Sequence, residues 1–212
     1  MLPASYQIRL CPSCGLRYPF VESHPFGERC PNCLGITEQV SSHQLNHQPA
    51  SLANEPKTHL EALLDNVRSA WNVGAIFRTA DGLGVKKIYL CGITPTPEND
   101  SVQKTGLGAE ESVAWMHSRN ALETATELTR DGFKLIALEQ DQRATPLGGP
   151  SASLRFARNE KLVLILGNEV TGVDPALLNL CENIVYIPMY GRKRSFNVEV
   201  AFAIAAYDIL GR

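Results

Sequence analysis

From position 59 onward, short apolar runs alternate with longer stretches of mixed polarity. Runs at 60–64, 87–91, 133–139, 161–166 and 184–187 read as strands, and the stretches around 71–83, 121–131 and 196–210 carry helical spacing. Strands separated by helices imply a mainly parallel sheet covered on its faces by helices, an α/β fold. In open sheets of this kind ligands bind beyond the carboxyl ends of the strands. The last helix, with Val198, Val200, Ala201, Ala203, Ile204, Ala205 and Tyr207, is apolar almost all round and therefore must be buried, either in the core of one chain or against a second copy. Gly82-Leu83-Gly84 closes a helix instead of opening one after a strand, so it reads as a C-cap and not as a dinucleotide fingerprint.

Polarity divides the chain. Residues 37–57 are rich in Ser, Asn, His, Gln and Pro and read as a polar linker, with His43 and His47 lacking partners for a metal. The linker separates a small N-terminal segment, 1–36, from a body at 58–212. With 212 residues and 44% hydrophobic content, a sizeable core is available. Twenty Lys and Arg against 22 Asp and Glu leave a net charge of −2, so any nucleic acid must be held by local patches. Arg192-Lys193-Arg194 is one such patch, and Arg155, Arg158 and Lys161 form another; Lys86-Lys87 reads as plain solvated surface. No apolar segment approaches the roughly 20 residues needed to span a bilayer, and a cytoplasmic protein with no membrane partner is expected.

Cys11-Pro12-Ser13-Cys14 and Cys30-Pro31-Asn32-Cys33 repeat one Cys-Pro-x-Cys unit with fifteen residues between them. Paired turns presenting four soft thiolates suit a tetrahedral structural zinc, and so short a segment needs a metal to complete its folding free energy. The same ligand set also suits a rubredoxin-type iron centre. His24 lies between the pairs, but four cysteines already fill the shell. Tyr18, Phe20 and Phe26 read as packing for this zinc ribbon. Cys91 and Cys181 fall in strand and helix-end contexts and call for no disulfide.

Three blocks in the body carry the chemistry: Asn72-Val73-Gly74-Ala75-Ile76-Phe77-Arg78-Thr79-Ala80, then Leu166-Gly167-Asn168-Glu169-Val170-Thr171-Gly172, then Ile187-Pro188-Met189 followed by Ser195-Phe196-Asn197-Val198. In this order they closely resemble the SpoU, or TrmH-like, branch of the SPOUT superfamily over residues 58–212. The loop 104–110 before Trp115 is similar as well. The resemblance implies an enzyme that transfers methyl from S-adenosylmethionine to a ribose 2′-hydroxyl of tRNA or rRNA, a C-terminal trefoil knot holding the donor, and a homodimer whose active site is built across two protomers.

It also assigns residues. Gly167, Ile187 and Phe196 are implied as donor-binding positions, acting mainly through backbone groups. Arg78 is implied as the central catalytic residue, with Asn72, Glu169, Ser195 and Asn197 as its polar company and Glu169 orienting Arg78 or Asn72. Two positions depart from the family pattern: Phe196 stands where Leu is usual and Glu199 where a small residue is usual. Because a guanidinium stays protonated and offers only donors, Arg78 is expected to grip an RNA phosphate and orient the hydroxyl, and not to act as a simple base. Plain structural roles compete for two residues: Ser195 is a good N-cap for the last helix and Asn168 a good turn former. A noncatalytic RNA-binding protein of the same fold is the alternative reading, and the ribbon suits either RNA or a protein partner.

Overall fold

The computed structural model describes residues 5–22, 25–45, 58–148 and 160–211, and its compact units divide between Ala53 and Asn54. His24, His47, Arg155 and Arg158 lie outside the described residues.

The N-terminal unit is a three-stranded antiparallel sheet of β1 (Ser5–Leu10), β2 (Arg17–Phe20) and β3 (Glu38–Gln44), in the order β2-β1-β3. The third strand falls within the segment 37–57 expected as a polar linker and takes its residues 38–44 out of that reading. It pairs with β1 from Ser5↔Gln44 to Leu10↔Glu38, and Tyr6 stacks on His43 with ring centroids 5.0 Å apart. Its side chains are almost all exposed, so it carries none of the apolar alternation that reveals a strand, and its backbone pairing holds it in place.

The loops before and after β2 form twin knuckles. In the first, the Cys11 N–H bonds the Leu16 carbonyl at 2.8 Å and the Gly15 N–H returns to the Cys11 carbonyl at 2.8 Å. The second repeats this with Cys30 N–H to Gly35 and Leu34 N–H to Cys30, each at 2.9 Å. Gly15 and Leu34 occupy matching left-handed positions, at φ 75° and 59°, although only glycine adopts that conformation without strain. The turns bring the four sulfurs within 4.8 Å of one another, with Cys11 and Cys33 at 3.5 Å and Cys14 and Cys30 at 3.6 Å. A zinc ion with sulfurs at about 2.3 Å in a tetrahedron needs them about 3.8 Å apart, so this set fits the metal. The Leu16 N–H lowers the Cys14 thiol to about 6, the direction ligation requires, whereas neighbouring thiols push Cys33 up to about 12 against the pull of the Gly35 N–H. Arg9, almost wholly buried, ties β1 to the segment before β3 by donating to the Thr37 side chain at 2.8 Å and the Thr37 carbonyl at 2.9 Å.

The second unit is a seven-stranded sheet in which every pairing is parallel. In chain order it contains β4 (His59–Asp65), α1 (Ala70–Leu83), β5 (Lys87–Cys91), α2 (Asp100–Gly106), α3 (Ala109–Ser112), β6 (Ala114–Ser118), α4 (Ala121–Arg130), β7 (Lys134–Leu138), β8 (Thr145–Pro146), β9 (Lys161–Leu166), α5 (Pro175–Leu180), β10 (Asn183–Tyr186) and α6 (Val198–Ile209). The sheet order is β6-β5-β4-β9-β7-β10-β8. Thus β9 enters between β4 and β7, and β10 returns on the far side of β7, an interleaving consistent with the expected trefoil threading.

Strands covered on both faces read as unbroken apolar runs, which is why β4, β5, β7 and β9 stood out in the sequence. Leu60, Leu64, Ile88 and Leu164 face Val73, Phe77 and Phe202 on one side; Leu63, Val163, Ile165 and Leu135 face Ala125, Leu128 and Leu177 on the other. Gly84 ends α1 in the left-handed conformation, as the C-cap reading expected. The last helix is not wholly enclosed within one chain: Phe202, Ala205, Ala206 and Ile209 are buried, while Val200, Ile204 and Tyr207 remain 37–52% exposed. Asn197, with its side chain accepting from the Glu199 N–H at 3.3 Å, caps that helix, so Ser195 does not. The helix starts later than expected, and Asn is as good a cap as Ser.

Gly74 is where α1 meets α2: a β-carbon there would stand 2.2 Å from the Val102 carbonyl and 2.0 Å from the Thr105 hydroxyl. Gly74→Ala is therefore expected to part these helices and lower stability by about 1–3 kcal/mol, measured by urea unfolding. For the ribbon, a strong chelator added to the full chain should release one zinc per chain and collapse the amide NMR signals of residues 5–45, with those of the parallel sheet unmoved. An unchanged spectrum would mean that the knuckles stand without metal.

Candidate functional site

Three loops leave the carboxyl ends of β7, β9 and β10 and enclose a cavity of about 530 Å³. Its size falls within the range of small-molecule sites. Gly167, Glu169, Ile187, Ser195, Phe196 and Asn197 all line it, and Asn72 reaches it from α1. Arg78 does not line it. Six residues on a helix turn through about 600°, so Arg78 faces about 120° away from Asn72. Its side chain is exposed, and it makes no ion pair among the described residues.

The loop after β9 is folded back on itself so closely that side chains are excluded. Asn168 and Gly172 exchange backbone hydrogen bonds at 3.1 and 2.9 Å, and a β-carbon on Gly167 would lie 2.2 Å from the Gly172 carbonyl carbon and the Val173 nitrogen. Gly172 takes φ 75°. Asn168 is the turn former that its residue type suggested. Its side-chain oxygen accepts from the Val170 and Thr171 N–H groups at 2.9 and 3.2 Å, while its side-chain NH2 donates to the Asn66 backbone carbonyl at 2.8 Å.

Glu169 is a clamp on the start of α1. Its carboxylate accepts from the Arg68 N–H at 2.9 Å, the Ser69 N–H at 3.0 Å and the Asn72 side-chain amide at 3.2 Å. Partial burial alone raises this carboxyl, but those hydrogen bonds outweigh it, and the group sits below the ordinary glutamate range. Of the two partners expected for Glu169, the structure supplies Asn72; Arg78 points elsewhere.

Sequence reasoning missed the third loop. Glu139, just past β7, accepts from the Val173 N–H at 2.9 Å and the Gln140 N–H at 2.8 Å, and Gln140 donates to the Arg194 carbonyl. All three cavity loops are thereby tied together. Asp65 and Asn66 at the end of β4 join the same framework: burial pushes the Asp65 carboxyl up, and it accepts from Asn66 at 2.7 Å and from the Asp174 N–H at 3.2 Å. The one available signal was positional, since these polar residues follow strands at the carboxyl edge. Glu199, the departure noted above, rests 3.4 Å from the Thr79 hydroxyl on α1.

The cavity fits S-adenosylmethionine in kind: Gly167, which has only backbone to offer, lines it, with apolar walls from Leu138, Leu166, Ile187, Met189 and Phe196. The four cysteines whose sulfurs suit a metal, Cys11, Cys14, Cys30 and Cys33, belong to the other unit. Among the described residues no helix is long and apolar enough to cross a membrane.

Residues 59–207 match the model of the SpoU rRNA Methylase family. The 23S rRNA (guanosine(2553)-2′-O)-methyltransferase RlmP of Bacillus subtilis is 29% identical over 177 residues, covering 81% of this chain and 68% of that protein. The A. aeolicus TrmH/SpoU tRNA modifying enzyme superposes with a TM-score of 0.62 at 26% identity, over 72% of this chain and 74% of that one. The AdoMet-bound rRNA methyltransferase of Sinorhizobium meliloti shares the fold with a TM-score of 0.64 at 22% identity, over 84% of this chain and 65% of that one. With the family match spanning most of the chain and the three loops of its body closing on one cavity, this protein belongs to the SpoU rRNA methylase family.

Proposed function

We propose that this chain transfers the methyl group of S-adenosylmethionine to a ribose 2′-hydroxyl of tRNA or rRNA, in the cytoplasm and as a homodimer. The observation that carries the reading is the convergence of the loops after β7, β9 and β10, with Asn72, on one cavity within the family-matched region. Relatives named as 2′-O-methyltransferases of rRNA and as a tRNA-modifying enzyme supply the reaction and the substrate class. The retained polar set weighs against a noncatalytic RNA binder.

When bound, the donor supplies an electrophilic methyl on a sulfonium whose charge is dispersed during transfer. The chain's part is alignment and proton removal. Gly167 and Ile187 offer backbone groups to the donor, with Phe196 as a wall. Asn72, held by Glu169, and Ser195 face the same space and are suited to the ribose. Asn197 lines the cavity too, although its side chain already caps α6. Arg78 grips the phosphate beside the target nucleotide in a bidentate manner and steers the hydroxyl, whose proton leaves with help from that phosphate.

Because Arg78 faces away from its own cavity, it serves the cavity of a second copy. The uncovered side of α6, with Val200, Ile204 and Tyr207, and an adjoining groove of about 680 Å³ between α1 and α6 supply apolar surface for that copy.

Complementation tests the arrangement. Arg78→Ala and Gly167→Ala are each expected to abolish tritiated methyl transfer into RNA, the first with donor binding intact by calorimetry and the second without it. Mixed and reassembled, they should regain about a quarter of wild-type activity, since half the dimers hold one good site of two. A mixture as inert as its components sinks the shared site. Near-normal turnover by Arg78→Ala removes that residue from the chemistry.

Glu169 has its own signature. A carboxyl held below its ordinary value stabilises the fold above that ordinary range and loses the contribution as pH falls through the folded value. Thermal unfolding of Glu169→Gln should therefore fall short of wild type at neutral pH, and the two should converge below about pH 4.

A further inference from the structure

We infer that Trp71, with Tyr190 beside the same cavity, stacks on an unpaired RNA base next to the target ribose, so that the substrate nucleotide lies in a loop or single strand and not within a duplex. This rests on the RNA methyltransferase reading above and sharpens its substrate class.

Single exposed apolar side chains are ordinary on protein surfaces. Position sets these two apart. Trp71 is 57% exposed and immediately precedes Asn72; Tyr190 is 97% exposed and immediately follows Met189; Asn72 and Met189 both line the cavity. The chain has two tryptophans, and Trp115 is the half-buried one, packed against the core.

Trp71 is also held from behind. Its carbonyl accepts from the Thr105 hydroxyl at 3.1 Å, the next residue's N–H is capped by Ser69 at 3.3 Å, and Gly74 packs α1 against α2. An indole presented on so fixed a backbone loses little freedom on contact. Exposed cations stand nearby along the chain: Arg68 precedes the helix, and Arg192, Lys193 and Arg194 follow Tyr190. Flat rings beside cations are what a single-stranded nucleic acid needs, because bases stack on the rings while the cations take the phosphates. Within an A-form duplex each base is already stacked on its neighbours, leaving no free face for the indole.

The test uses the full chain in a Trp115→Phe background, where Trp71 is the remaining tryptophan. A fluorescein-labelled stem–loop RNA, and the same stem closed as a blunt duplex, are titrated in, reading RNA anisotropy and tryptophan emission together. The stem–loop should quench emission over the concentration range in which it binds, and the duplex should bind more weakly with little quenching. Trp71→Ala should weaken stem–loop binding about tenfold and raise the KM for RNA, Trp71→Phe should restore most of it, and the S-adenosylmethionine Kd should not move. Stem–loop binding without quenching, with Trp71→Ala unimpaired, overturns the stacking and leaves the methyltransferase reading standing. Equal quenching by the duplex overturns the single-strand requirement. Dissociation of Trp71→Ala into monomers shows the indole to be a contact between copies, which also overturns the inference. If neither RNA binds, the RNA reading itself falls and this inference with it.

Discussion

The N–H groups of Arg68 and Ser69 at the start of α1 end on one carboxylate, Glu169, which lies 101 and 100 positions further along the chain. The first N–H groups of a helix have no partner within it, and the positive end of the helix dipole favours a negative group. Glu169 answers both needs, and in doing so it fixes the loop after β9 to the helix that carries Asn72 and Arg78. The other ties extend this one. Glu139 holds the far end of the same loop at Val173, and Gln140 holds the chain approaching α6. The cavity is what remains between segments that hydrogen bonds have already placed.

That framework was partly legible in the sequence. The apolar runs gave the central strands because both faces of each are buried. Motif spacing gave the loops after β9 and β10 because glycine, asparagine and glutamate there serve backbone geometry that other residues cannot supply; Gly167, pressed against the backbone of Gly172 and Val173, is the plainest case. Glu139 escaped notice because a lone glutamate after a strand looks like any solvated carboxylate until its partner is known. Strand β3 escaped because an edge strand with exposed side chains leaves no hydrophobic trace. The contrast between Ser195 and Asn197 is a matter of two residues in the start of a helix, a distance that composition alone cannot resolve.

The two units reach order by different physics. The larger buries leucine, isoleucine and valine on both faces of a sheet, with Phe77 and Phe202 wholly enclosed. The smaller has few such side chains and relies on twin hydrogen-bonded knuckles, a clasped arginine and four sulfurs gathered in one place. Its backbone even tolerates Leu34 in a left-handed conformation, at the point where the knuckle turns back and the Leu34 N–H reaches the Cys30 carbonyl.

The placement of β9 bears on how the chain acquires its shape. His59 of β4 pairs with Lys161 of β9, and Lys134 of β7 pairs with Leu162, so the strand that unites the two halves of the sheet is made after both strands it joins. Until it emerges from the ribosome, β4 and β7 each present an unsatisfied edge, and the entropy of closing so long a loop must be met before those contacts form. The nascent protein thus passes through an interval of exposed strand edges, in which early chains are vulnerable to pairing with one another.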